Sequence, residues 1–218
     1  MNTKALKVFF IYAAVKFLLT ALLFVARYYS PSRETYLLVL RFDLVFEYLI
    51  LSFFYWHLIR SRLLRNILLL SNIPFLAYCL YVYAQTDYAN FNNGPTLVEL
   101  LVFLVVIIFY FFERMRLSIA IPVYQTVNFW LSVGLFVYFS GVFFYILLVE
   151  TYYLRSDERI IAELKLISCS VVILKNLILG FGLSVKEAAE GPEEYNFNIP
   201  LDMDLDSFET FTPKNNLN

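Results

Sequence analysis

Long apolar runs, nearly free of charge, follow one another along this chain with only short polar breaks between them. A bilayer core of about 30 Å is crossed by roughly 20 apolar helical residues, and in lipid a helix satisfies every peptide group internally. Six runs of that kind fall at 6–28, 36–59, 66–84, 97–112, 129–149 and 160–183. A soluble globule fails on composition, because 61% of the 218 residues are hydrophobic and 16% are charged, with a mean hydropathy of +0.68. That much apolar surface cannot be hidden inside a water-soluble core of this size. The expected fold is therefore all-α: a polytopic transmembrane bundle of about six spans over residues 1–185. A separate tail follows from 186 to 218. The segment 117–127, with Pro122 inside it, is short enough to dip into the interface without crossing.

The breaks contain helix-stopping or water-holding residues: Ser30-Pro31-Ser32, Arg60-Ser61-Arg62, Asn92-Asn93-Gly94-Pro95 and Arg155-Ser156-Asp157-Glu158-Arg159. Tyr28, Tyr29, Tyr36, Tyr81, Tyr83, Tyr152 and Tyr153 gather at span ends on one side, and Trp56 and Trp130 on the other, as an aromatic belt does. Basic residues give the orientation. Lys4, Lys7, Arg60, Arg62, Arg65, Arg114, Arg116 and Lys186 share one side. The other has Arg27, Arg33, Arg155 and Arg159, the last two diluted by Asp157 and Glu158. Both termini are thus expected in the cytoplasm, in agreement with an even number of crossings. The first run is too long for a signal peptide, and Phe24-Val25-Ala26 lacks the small residue signal peptidase needs, so it reads as a retained span. Cys79 and Cys169 lie inside runs and read as buried apolar thiols.

The tail has eight acidic residues against Lys186 and Lys214, a net charge of −6, which leaves +5 on residues 1–185 of a chain whose total is −1. Anionic head groups repel such a tail into the cytosol. Within it Leu201, Asp202, Met203, Asp204, Leu205, Asp206 and Phe208 form an alternating apolar and acidic stretch. In an extended chain Leu201, Met203 and Leu205 share a face, which suits a docking peptide for a cytoplasmic protein partner. The competing readings are a solvated tail and a latch onto the chain's own loop arginines.

Ionisable residues inside spans are costly, at least about 2.5–3.5 kcal/mol at mid-bilayer on insertion scales, and normally face the bundle interior in pairs. Here they are Lys16, Arg41, Asp43, Glu47, Glu99 and Lys175, with Asn176 adding an amide beside the last, while Glu163 and Lys165 of the sixth run sit close enough to the outer surface to reach water. Lys16, Glu47 and Lys175 fall near mid-depth, and Arg41, Asp43 and Glu99 nearer the outer face. Asp43 and Glu47, four apart, share one helix face. Glu47 is expected to meet Lys16 or Lys175, and Asp43 or Glu99 to meet Arg41, so that neutralising Glu47 leaves a lysine unpaired. Such pairs either fix helix register or line a hydrated cavity for a ligand, proton or ion. Pro74, next to Ser71 and Asn72, removes a helical hydrogen bond and is expected to bend the third span.

Catalytic patterns are missing from the sequence. A rhomboid-type serine protease needs Gly-x-Ser-Gly, but Tyr138 stands where the first glycine belongs before Ser140-Gly141, and His57, the one histidine, lies at the cytoplasmic end of the second run. There is no His-Glu-x-x-His, P-loop or Gly-x-Gly-x-x-Gly, and one histidine with two cysteines does not make an ordinary zinc site. Lys175 in the final span is weak ground for a retinal-binding rhodopsin, which has seven spans. A few loop arginines give no ground for nucleic-acid binding. No catalytic residue, metal or cofactor is expected.

The stretch Asn128-Phe129-Trp130-Leu131-Ser132-Val133-Gly134-Leu135-Phe136-Val137-Tyr138-Phe139-Ser140-Gly141, the later Leu174-Lys175-Asn176-Leu177-Ile178-Leu179-Gly180 and the segment around Phe46-Glu47-Tyr48 resemble a widespread group of uncharacterised bacterial multi-pass membrane proteins. The resemblance covers about half the chain. It implies a bundle similar to the membrane halves of sensor proteins, and carries no activity. Gly134 and Gly141, seven apart on one helix face, should let a neighbouring helix approach closely. The resulting expectation is a non-enzymatic bacterial inner-membrane protein, a sensor or accessory subunit acting through its tail. The alternative is a small ion or proton channel or transporter using Lys16, Glu47 and Lys175, as a homo-oligomer if copies associate.

Overall fold

The computed structural model describes residues 3–29, 33–85, 92–116, 123–153 and 158–185. Among the described residues there is no strand, and six long helices account for nearly all of them. They are α1 (Thr3–Tyr29), α2 (Arg33–Leu58), α3 (Arg62–Gln85), α4 (Gly94–Arg116), α5 (Val127–Tyr153) and α6 (Glu158–Ser184). A 3₁₀ turn, Val123–Gln125, precedes α5, so the end of the expected interfacial segment is a helix lead-in, while residues 117–122 lie outside the described residues. Each helix is at least 23 residues, about 35 Å at 1.5 Å per residue, so each has the length to cross a bilayer core.

Five of the six are also apolar enough to cross: α1, α3, α4, α5 and α6. The exception, α2, carries Arg33, Glu34, Arg41, Asp43 and Glu47 between its start and its middle turn. It is nevertheless the most enclosed helix, packing against α1, α3 and α4. Its buried residues include Glu47, Tyr48, Leu51, Phe54 and Tyr55. Polar side chains are tolerated there because the other helices, rather than lipid, surround them.

Lipid tails are as apolar as leucine, so helix association in a membrane depends on close packing and polar contacts rather than on water exclusion. Two devices are visible. Aromatic rings form a ladder across the bundle: Phe75 of α3 stacks on Tyr48 of α2 with centroids 3.6 Å apart, Tyr48 meets Phe103 of α4 at 5.3 Å, and Phe103 stacks on Phe139 of α5 at 5.3 Å. Phe9 joins α1 to Phe54 of α2 at 5.6 Å. Between α5 and α6, the most extensive pairing, small residues do the work. A methyl group at Gly141 would lie 2.6 Å from both Val171 methyls, one at Gly134 2.9 Å from Leu179 Cδ2, and one at Gly182 2.6 Å from Trp130 Cβ. The close approach expected at Gly134 and Gly141 is thus present, with Gly182 as a third contact from the other helix.

The ends that carry α2–α3 and the last turn of α4 are fastened by Glu113. Its carboxylate accepts from the backbone N–H of Arg60 at 3.0 Å and of Ser61 at 2.9 Å. The basic residues there lie on aromatic faces, Arg65 over Trp56 at 4.6 Å and Arg116 over Phe112 at 5.0 Å. Trp130 anchors the start of α5 by donating from Nε1 to the Tyr124 carbonyl at 2.7 Å. Through Pro74 the helix α3 runs on unbroken. Ser71 beside it donates to the Leu68 carbonyl at 2.7 Å, so the Tyr48 hydroxyl, 3.0 Å away, is the donor to Ser71 Oγ.

Candidate functional site: an intramembrane charge cluster

α1 and α2 are consecutive and joined by a short connection, so they run antiparallel, and residues near the middle of each face one another. Lys16 of α1 thereby meets α2 where Asp43 and Glu47 stand four apart on one face. Its ammonium donates to Asp43 Oδ1 and Oδ2 at 2.9 and 2.8 Å and pairs with Glu47 Oε2 at 2.6 Å. Tyr12, one turn before Lys16, donates its hydroxyl to Glu47 Oε1 at 2.8 Å. The side chains of Lys16 and Asp43 are 18% and 17% exposed and that of Glu47 is 6% exposed, so the cluster is enclosed. Every oxygen of the two acids has a partner, which is what charges in a low-dielectric interior require.

The expected pairing of Glu47 with a lysine is met by Lys16, not Lys175. The expected pairing of Arg41 with Asp43 or Glu99 is not seen: Lys16 takes Asp43, and the Arg41 guanidinium stands 4.8 Å over the ring of Tyr83 on α3. Residues two positions apart on a helix point about 200° apart, so Arg41 and Asp43 cannot face the same neighbour. Neutralising Glu47 alone therefore does not strand Lys16, which keeps Asp43. The Lys175 ammonium of α6 sits 4.3 Å over the ring of Tyr138 on α5, within electrostatic reach of Glu47 and Asp43. Asn176 is exposed on α6, away from the core. Of the cysteines, Cys79 is buried as expected, whereas Cys169 is exposed on α6.

Glu99 on α4 is 3% exposed, and its Oε1 has no hydrogen-bond partner. It interacts electrostatically with Glu47, Asp43 and Lys16. The cluster thus draws on α1, α2, α4, α5 and α6. Tyr12 and Tyr138 belong to it although no sequence pattern singled them out. Tyr12 does carry a signal, its four-residue spacing from Lys16; Tyr138 carries none, since a tyrosine inside an apolar run reads as core.

The Ser140 hydroxyl donates within its own helix, to the Phe136 carbonyl at 2.8 Å. No group of three metal-ligating side chains occurs among the described residues. The docking stretch, Leu201 to Asp206 with Phe208, lies outside the described residues.

Among the described residues, fold and cluster together define a helical protein of the membrane-spanning type, with five helices long and apolar enough to cross a bilayer and charged residues in its core. No protein-family model, curated protein or solved structure matches the chain.

Proposed function

We propose that this chain crosses a bacterial inner membrane six times, α2 included, with both termini in the cytoplasm, and that it acts without catalysis as a sensor or accessory subunit. The observation that carries the reading is the Lys16 clamp: one ammonium shared by Asp43 and Glu47 joins the first two spans at mid-depth. Paired groups of this kind have two discrete states, engaged and released, and a stimulus that favours one shifts the relative position of α1 and α2. The output leaves through the acidic tail, whose charge of −6 against +5 on the bundle keeps it off anionic lipid and suits a basic partner. The resemblance of the fifth and sixth spans to sensor-type membrane modules points the same way.

The test is truncation after Lys186 in the intact membrane. Partner capture and output are lost while the bundle still folds; a truncated chain with full output rules the reading out. A second reading, a small proton or ion transporter, is favoured by Glu99, a buried acid with an unpartnered oxygen. Flux in liposomes that survives truncation and falls in Glu47→Gln selects it.

A further inference from the structure

Glu99 is the acid that the Lys16 clamp does not absorb. Asp43 and Glu47 share the ammonium of Lys16, and Glu47 has Tyr12 as well. The charges acting on Glu99 are the two carboxylates of Glu47 and Asp43 and the single ammonium of Lys16. Even with Lys175, which acts on Glu47 and Asp43, this part of the core has three carboxylates for two ammoniums. Arg41, the remaining nearby cation, stands over the ring of Tyr83 and is not among the charges that act on Glu99. One negative charge is left to be neutralised in a place where 3% of Glu99 is exposed.

The neighbours of Glu99 decide what can neutralise it. From α3 the thiol of Cys79 and the hydroxyl of Tyr83 act with it, from α2 the hydroxyl of Tyr48, from α5 that of Tyr138, and from α1 that of Tyr12, which already donates to Glu47. Tyr48 already donates its hydrogen to Ser71. These groups are neutral and few. A hard metal cation takes six or more oxygen ligands, whereas a proton needs one oxygen, and Oε1 of Glu99 is buried and unpartnered.

We infer that Glu99 is a proton-binding site within the membrane, its Oε1 forming an O–H bond with a proton delivered from water. The inference rests on the membrane-sensor reading above and deepens it, since it names the proton as the stimulus. Protonation leaves Asp43, Glu47, Lys16 and Lys175 as a neutral set. Loss of the proton adds a carboxylate that repels Glu47 and competes for Lys16, which loosens the clamp between α1 and α2.

The test uses the full chain in liposomes and dicyclohexylcarbodiimide, an apolar reagent that adds to protonated carboxyl groups buried in lipid. The carboxyl proton passes to a carbodiimide nitrogen, the carboxylate oxygen bonds to the central carbon, and rearrangement leaves a stable N-acylurea. The expected result is one adduct per chain, mapped to Glu99 by peptide mass spectrometry. Its formation should slow about tenfold per pH unit above the titration midpoint, and Glu99→Gln should remove it. An adduct mapped to Asp43 or Glu47, no adduct at any pH, or protection by sodium at constant pH overturns the inference. Mapping on the wild-type chain decides the matter even if Glu99→Gln does not fold. Labelling of the chain truncated after Lys186 separates the two claims: an adduct at Glu99 with output unaffected by the truncation sinks the tail-signalling reading and leaves the proton site standing.

Discussion

Replacing Lys16 by methionine, which has similar length and no charge, leaves Asp43 and Glu47 facing each other's repulsion four residues apart, with Tyr12 still donating to Glu47. Lys16 makes two hydrogen bonds of 2.8–2.9 Å to Asp43 and a 2.6 Å pair with Glu47. Removing one partner of a buried ion pair costs about 3–5 kcal/mol, because the other charge stays buried without compensation. At about 1.4 kcal/mol per factor of ten, the folding equilibrium constant should drop by roughly two to three and a half powers of ten. Glu47→Gln is the contrast: the new side-chain amide still accepts from Tyr12 and Lys16 keeps Asp43, so the loss should be about 1 kcal/mol. The neutral triple variant Lys16→Met, Asp43→Asn, Glu47→Gln should recover most of the Lys16→Met loss, as neutral replacements of buried ion pairs commonly do. The measurement is equilibrium unfolding in mixed micelles by titration with sodium dodecyl sulfate, followed by the fluorescence of Trp56 and Trp130. The reasoning is refuted if Lys16→Met costs no more than Glu47→Gln, or if the triple variant is no more stable than Lys16→Met.

At the α5–α6 contact, Gly141→Ile should cost about 1–3 kcal/mol by overpacking against Val171, whereas Gly180→Ala, with nothing within 4 Å of the added methyl, should be neutral or slightly stabilising in the same unfolding titration. Glu113→Ala removes the acceptor of the Arg60 and Ser61 amides and should cost about 1 kcal/mol, with faster hydrogen exchange confined to those two amides; unchanged exchange would dismiss the clasp. Trp130→Phe keeps the ring packed near Phe181 but loses the bond to the Tyr124 carbonyl, so the first turn of α5 should exchange faster while the aromatic contact persists. Compartment-specific reporters fused at the two ends should both read cytoplasmic, and opposite readings would remove one crossing from the six.

The runs read from sequence lie within the helices at 6–28 against α1 (Thr3–Tyr29) and 160–183 against α6 (Glu158–Ser184). The shortfall lies at the polar ends, where each helix continues past its apolar run. α4 is the clearest instance: the apolar run at 97–112 omits Gly94 to Thr96, where buried Pro95 opens the helix, and omits Arg114 and Arg116, whose charges suit a helix C-terminus. Lys16, Asp43, Glu47 and Glu99 are readable as core residues because an isolated charge in an apolar run is too costly to face lipid. Which partner each chooses is not readable, since it depends on the rotation of each helix about its axis. The same rotation turns Cys169 and Asn176 outward. α6 is apolar on nearly all sides, so its pattern could not separate a lipid-facing thiol from a buried one.

The two ends of the chain order are fastened by different physics, and that difference bears on where the bundle can move. α5 and α6 are held chiefly by steric fit at Gly134, Gly141 and Gly182, contacts that do not depend on charge, with the Lys175 ammonium over the Tyr138 ring as the one charged contact described between them. α1 and α2 are held by charges, with Lys16 shared between two acids and a third acid, Glu99, acting on the same group. A change in charge leaves the glycine contacts as they are and alters the Lys16 clamp directly. The aromatic ladder from Phe75 to Phe139 crosses from α3 to α5 without touching α1, which the ring of Phe9 joins to Phe54 of α2. α1 is accordingly the helix whose hold on the bundle responds most directly to the core charge, and α2, packed against three neighbours, is the one positioned to pass a shift on.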